Sequence, residues 1–226
     1  DAMRDDRHPQ LAAADVEPGV GQPGDSGGQP QRDGGALVAG VLPKPGWVLV
    51  AVTDGSYMRS LYPNMNSCAF ILECTKGRGR LTGAFSEQTI AACSYRGELL
   101  GLMAIHLILL SVSRVTPNLR GSAHIYSDCL GALDKIRNLP PHRIPSKCRH
   151  SDVLKNVMLH CSSLSFQRLY SHVSAHQDDR TRWDNLSREE QLNCAADFGA
   201  KRVLLRLEAD NLPRQQKFPL EAVCVW

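Results

Sequence analysis

The chain has 226 residues, 42% of them hydrophobic and 22% charged, and its 26 Lys and Arg against 23 Asp and Glu leave a formal charge of +3. That is the composition of an ordinary soluble globular protein, long enough for one good core. The eight cysteines are scattered without a Cys-x-x-Cys pair or a preceding secretory signal. This argues against a disulfide framework and makes reduced thiols in an intracellular protein, cytoplasmic or nuclear, the expectation. A zinc site would have to gather Cys148, His150, His160 and Cys161, whose spacing fits no common ligand pattern. The longest apolar run, Leu99 to Leu110, is about twelve residues long and contains His106, too short to span a bilayer, so no membrane partner is expected. The start at Asp1 rather than Met reads as a fragment of something longer.

Residues 1–46 are crowded with Gly, Pro, Asp and Gln and have no period of 2 or 3.6; a disordered arm or linker is expected there. They hold four basic and seven acidic side chains, leaving 22 basic against 16 acidic downstream. That excess is compatible with a polyanionic partner. Trp47–Ser56 reads as a short strand apolar on both faces, with one carboxylate, Asp54, at its exit. Such a strand belongs in the middle of a covered sheet, and a carboxylate at its carboxyl end opens into a crevice.

Asn66–Cys74 and Leu81–Phe85 follow as strands of an antiparallel meander. From Tyr95 to about Ser113 the pattern predicts a helix buried on most sides, broken by Pro117 and Gly121. His124–Tyr126 predicts a fourth strand ending at Asp128, then a helix over Leu130–Asn138, a Pro-rich basic connection, and a helix over Asp152–Cys161. Phe166–Val173 predicts a fifth strand, His176–Glu190 a polar loop, Gln191–Leu207 a last helix, and residues 208–226 an irregular tail. The order βββαβααβα implies a mixed five-stranded α/β sheet, its first three strands antiparallel, with helices on both faces.

Asp54, Glu98, Asp128 and Asp197 fall where one crevice could gather them. Singly each has a plainer explanation: a turn dipeptide, a helix N-terminal charge in the first turn, a cap and a solvated helix residue. Together they could not all stay ionised without a counter-charge. Hard divalent cations supply one through oxygen ligands, and two of them roughly 4 Å apart would clamp both oxygens of a phosphoryl displacement.

Thr53-Asp54-Gly55-Ser56, Tyr95-Arg-Gly-Glu98-Leu-Leu-Gly-Leu, Tyr126-Ser-Asp128-Cys-Leu-Gly-Ala-Leu, Val173-Ser-Ala-His176-Gln-Asp178 and Asn193-Cys-Ala-Ala-Asp197-Phe-Gly-Ala200 resemble the type 1 ribonuclease H domain. In particular they look like the version carried by the reverse transcriptases of retroelements. The resemblance covers about residues 47–205, with 47–207 as the ribonuclease H-like domain.

It implies a ribonuclease H-like fold and hydrolysis of the RNA strand of RNA/DNA hybrids with two Mg²⁺ ions, Mn²⁺ being a substitute. It also implies a reverse transcriptase domain elsewhere in the same polyprotein. By position, Asp54, Glu98, Asp128 and Asp197 would be the metal ligands and His176 the loop histidine that assists proton transfer. Lys76, Arg78 and Arg80 on a hairpin, and Arg137, His142, Arg143, Lys147 and Arg149 in the basic connection, are the candidates for phosphate contacts. The second cluster sits about where some family members carry a substrate handle.

Three features depart from the family: a long loop after Asp54, Cys129 where Ser or Asn is frequent, and a long segment from His176 to Asp197. Ser56, two beyond Asp54, argues against the Asp-x-Glu of proofreading exonucleases. Glu98 standing second argues against transposases and integrases. A catalytically silent hybrid-binding or structural module is the remaining alternative.

Overall fold

The computed structural model describes residues 47–75, 79–116, 121–164 and 167–209. The expected arm, all but the first two residues of the expected tail, and Lys76, Arg78 and Pro117 lie outside the described residues.

Five strands, β1 (Trp47–Ser56), β2 (Met65–Cys74), β3 (Arg80–Gln88), β4 (Gly121–Ser127) and β5 (Gln167–His172), form one sheet in the order β3-β2-β1-β4-β5. β1 pairs antiparallel with β2, and β2 with β3; β1–β4 and β4–β5 are parallel. This is the mixed sheet that the pattern predicts. β1 is central because both its faces are apolar: Leu49 and Ala51 belong to one core, Val50 and Val52 to a second on the opposite face.

The larger core is closed by α1 (Ser94–Val115), α2 (Leu130–Asn138) and α3 (Ser151–Ser162). The other face is covered by α4 (Arg188–Ala209), whose Leu192 and Ala196 meet Val50, Val52 and Ile71. On α1, Leu99, Leu100, Leu102, Met103, Ile105 and Leu109 are all fully buried, each worth about 2 kcal/mol of apolar burial. α1 has 22 residues, more than the pattern predicts, and by length and composition it could cross a membrane. In this fold 67% of its most apolar stretch is buried inside the protein, against β1, β2 and α3.

Other boundaries also move. β3 continues past Phe85 because Ser86 and Glu87 keep pairing with Ser67 and Asn66. Gly121 opens β4 instead of breaking a helix. α4 starts three residues earlier than expected, behind a reciprocal cap. Glu190 N–H donates to Ser187 Oγ at 3.3 Å, and Ser187 N–H donates to Glu190 Oε2 at 2.7 Å.

Two buried polar groups tie the layers together. Arg96 of α1 donates to Glu87 of β3 at 2.6 Å and lies 2.9 Å from Asp152 of α3. Burial alone would lower its pKa, but the bonds to Glu87 and Asp152 more than reverse this. His106 sits between the Leu102 carbonyl, 2.6 Å from Nδ1, and the Tyr170 hydroxyl of β5, 2.8 Å from Nε2. Burial pushes its pKa down to about 4.

Candidate active site

β1 and β4 are parallel neighbours with Val52 level with Tyr126. Two residues further along, Asp54 is still within β1, paired with Ala69 of β2, while Asp128 follows directly on the last residue of β4. Glu98 joins them from α1. Because α1 begins at Ser94, Glu98 stands in the second turn rather than the expected first. It gets there because two main chains touch: a Cβ on Gly55 would overlap the Glu98 nitrogen, and one on Gly97 would lie 2.7 Å from the Ser67 carbonyl. Glycine's missing side chain is what permits this approach. Glu98 is then held by both oxygens, Oε1 accepting from Gly55 N–H at 2.6 Å and Oε2 from Ser127 Oγ at 3.3 Å.

Each of the three carboxylates offers an oxygen within 4.8 Å of the others. Asp54 and Glu98 are each 5% exposed. Burial, followed by the charges of Asp128 and Asp197, pushes Asp54 up to about 7. Glu98 is raised well above the usual carboxylate range by burial and by Asp54 and Asp128. Asp128 is raised by burial and Asp197, with His176 and His172 opposing. Among the described residues the trio has no Lys or Arg ion-pair partner. Oxygen-only donors with unfavourable negative charge fit a hard divalent cation.

Across the crevice, Asp197 of α4 behaves differently. Its Oδ2 lies 2.6 Å from Lys201 Nζ and 3.8 Å from His176 Nδ1. Asp197 is outside the trio that could share one ion. His176 takes a left-handed backbone conformation, φ 51°, at the head of a 3₁₀ turn over Gln177–Asp179. Asp178 of that turn accepts from Cys194 Sγ on α4 at 3.4 Å. The crevice, about 410 Å³, is lined by the four carboxylates, His176 and Lys201, with Tyr57, Tyr95 and Cys129 also contributing.

No family model and no curated protein matches the sequence. Solved structures do match in shape. A type 1 ribonuclease H from compost, LC11-RNase H1, solved in complex with an RNA/DNA hybrid, superposes with a TM-score of 0.52 at 9% identity, over 71% of this chain and 99% of that one. LC9-RNase H1, described as a type 1 enzyme with the type 2 active-site motif, gives 0.51 at 11% identity, over 81% and 83%. The prototype foamy virus protease–reverse transcriptase gives 0.50 at 16% identity, over 70% of this chain and 21% of that longer one.

The chain has the ribonuclease H fold. Within that fold, all five residues expected in the site, Asp54, Glu98, Asp128, His176 and Asp197, line one crevice. Of the basic residues, Arg80, His142, Arg143, Lys147 and Arg149 are exposed and none lines the crevice. Arg137 is engaged in the fold, with the Tyr170 carbonyl and with Asp134 at 3.7 Å. The cysteines and histidines weighed for zinc separate: His150 Nε2 is 3.2 Å from Cys93 Sγ, and Cys161 Sγ is 3.2 Å from the Tyr170 hydroxyl. His172 of β5 has its Nε2 3.0 Å from the Asp128 carbonyl. Lys201 was not expected in the ribonuclease H crevice. Its signal in the sequence is the helical spacing of four from Asp197.

Proposed function

We propose that this chain is a metal-dependent endonuclease that hydrolyses the RNA strand of RNA/DNA hybrids. The observation that carries this reading is the trio of buried Asp54 and Glu98 with half-buried Asp128, which has no Lys or Arg partner among the described residues, in an open crevice on a ribonuclease H fold. Asp54, Glu98 and Asp128 would hold one Mg²⁺, and Asp54 with Asp197 a second, with Mn²⁺ able to substitute. Bound there, the ions would neutralise the carboxylates, lower the pKa of an attacking water and stabilise the leaving oxygen.

The protein's own groups do the rest. Gly55 N–H and Ser127 Oγ fix Glu98, so the trio is pre-aimed before any ligand arrives. His176, with Nδ1 3.8 Å from Asp197 Oδ2, stands at the crevice where an imidazole can assist proton transfer. Exposed Arg143, Lys147 and Arg149 meet the phosphates of the hybrid, so affinity falls with salt. Recognition of 2′-hydroxyls in the wide minor groove selects RNA. The foamy virus likeness supports a place beside a reverse transcriptase domain in a retroelement polyprotein.

Cleavage of a labelled RNA/DNA hybrid with Mg²⁺, beside duplex DNA, duplex RNA and an Asp128→Asn control, tests this. RNA-strand cleavage that falls at least about 10³-fold in the variant is expected. Wild type and variant equally inert, with hybrid binding retained, would mean a silent binding module instead.

A further inference from the structure

The charge in the crevice is unevenly compensated. Asp54, Glu98 and Asp128 crowd together without a Lys or Arg partner, while the fourth carboxylate, Asp197, has an ammonium group 2.6 Å from its Oδ2. Lys201 lines the same crevice as the carboxylates, and its side chain is 41% exposed, so it can swing away from Asp197 without unpacking α4. A divalent ion bridging Asp54 and Asp197 would have to share the Asp197 carboxylate with the ammonium already at its Oδ2. Two cations cannot share that oxygen at such a separation without strong repulsion.

We propose that Lys201 is a resident counter-cation that reserves Asp197 and makes the two metal sites unequal. This rests on the metal-dependent reading above. In the protein without nucleic acid, one divalent ion binds at Asp54, Glu98 and Asp128. The second enters only by exchange, when the Lys201 side chain leaves Asp197. A substrate phosphate at the crevice supplies an anion to which the departing ammonium can donate, which couples arrival of the second ion to arrival of the hybrid. Lys201 is thus a positioning residue that acts through Asp197.

Mn²⁺ titration of the full chain without nucleic acid, followed by calorimetry and by the electron paramagnetic resonance signal of free Mn²⁺, tests this. Wild type binds one ion and a second at least about tenfold more weakly, Lys201→Met tightens only the second by about tenfold, and Lys201→Arg restores the wild-type gap. Asp197→Asn abolishes the second site and keeps the first. A thermal melt of each variant confirms the fold. Two equally tight ions in wild type, or a second constant unchanged in Lys201→Met, overturns the role of Lys201 and leaves the metal-dependent reading standing. No Mn²⁺ bound to wild type at all overturns both.

Discussion

Arg96 and Glu98 are two residues apart on α1 and almost equally buried, yet they anchor opposite kinds of electrostatic cluster. Around Arg96, the carboxylates of Glu87 and Asp152 are satisfied by a guanidinium, and Asp152 is held below its ordinary pKa because Arg96 outweighs the effect of burial. Around Glu98, carboxylates face carboxylates, and Asp54, Glu98 and Asp128 are all raised, in each case chiefly by burial. A cluster that serves only the fold carries its own counter-charge. One that lacks it is destabilising until a ligand brings the charge in.

The largest effect on stability is expected on the compensated side. Arg96→Met leaves Glu87 and Asp152 without their partner and should cost about 3 to 5 kcal/mol in urea unfolding. A cost under about 1 kcal/mol would show that the Arg96 network is as dispensable as a surface ion pair.

On the uncompensated side the sign reverses. The carboxyl of Asp54 keeps its proton in the folded protein up to about pH 7, against an ordinary value of 3.8. The unfolded chain therefore ionises first, and the contribution of Asp54 to stability is full below about pH 4 and lost as pH rises to about 7. In chelator, Asp54→Asn should match wild type near pH 4 and exceed it by a few kcal/mol at pH 7.5. Saturating Mg²⁺ should invert that order, because only wild type gains binding energy. A gap that does not change with pH would break the contrast.

The smallest effect concerns a third kind of buried group, one compensated by neutral hydrogen bonds. His106→Phe leaves the Tyr170 hydroxyl with only the weaker Cys161 Sγ contact and should cost about 1 to 3 kcal/mol at pH 7. Because the histidine is folded with a pKa near 4, wild type itself loses stability as pH falls from about 6.5 to 4, and the gap between the two closes in that window. A gap that widens there would mean the ring is charged when folded.

These contrasts also measure what the sequence reveals. Asp54 and Asp128 are legible because each stands at or near the carboxyl end of a strand, and strand ends open into crevices. Glu98 and Asp197 are legible only as members of an ordered set, since a helix pattern alone cannot say which residue faces a site. Arg96 stands inside a quoted motif, yet its role depends on Glu87 and Asp152, 9 and 56 residues away. The capping pair of Ser187 and Glu190 was readable as Ser-x-x-Glu and would have started α4 in the right place. Among the described residues, the exposed Arg143, Lys147 and Arg149 have no neighbour that distinguishes a substrate handle from a solvated loop.

The contact between Gly55 and Gly97 has a mechanical meaning. With strand and helix backbones touching, Asp54 and Glu98 belong to a single rigid jaw, whose two carboxylates cannot separate unless the sheet and α1 come apart. The facing jaw is built from side chains that reach in from a loop and an exposed helix face: His176, Asp197 and Lys201. Adjustment to a ligand then falls to that second jaw, by side-chain rotation on the timescale of nanoseconds, while the first works as an anvil of fixed shape.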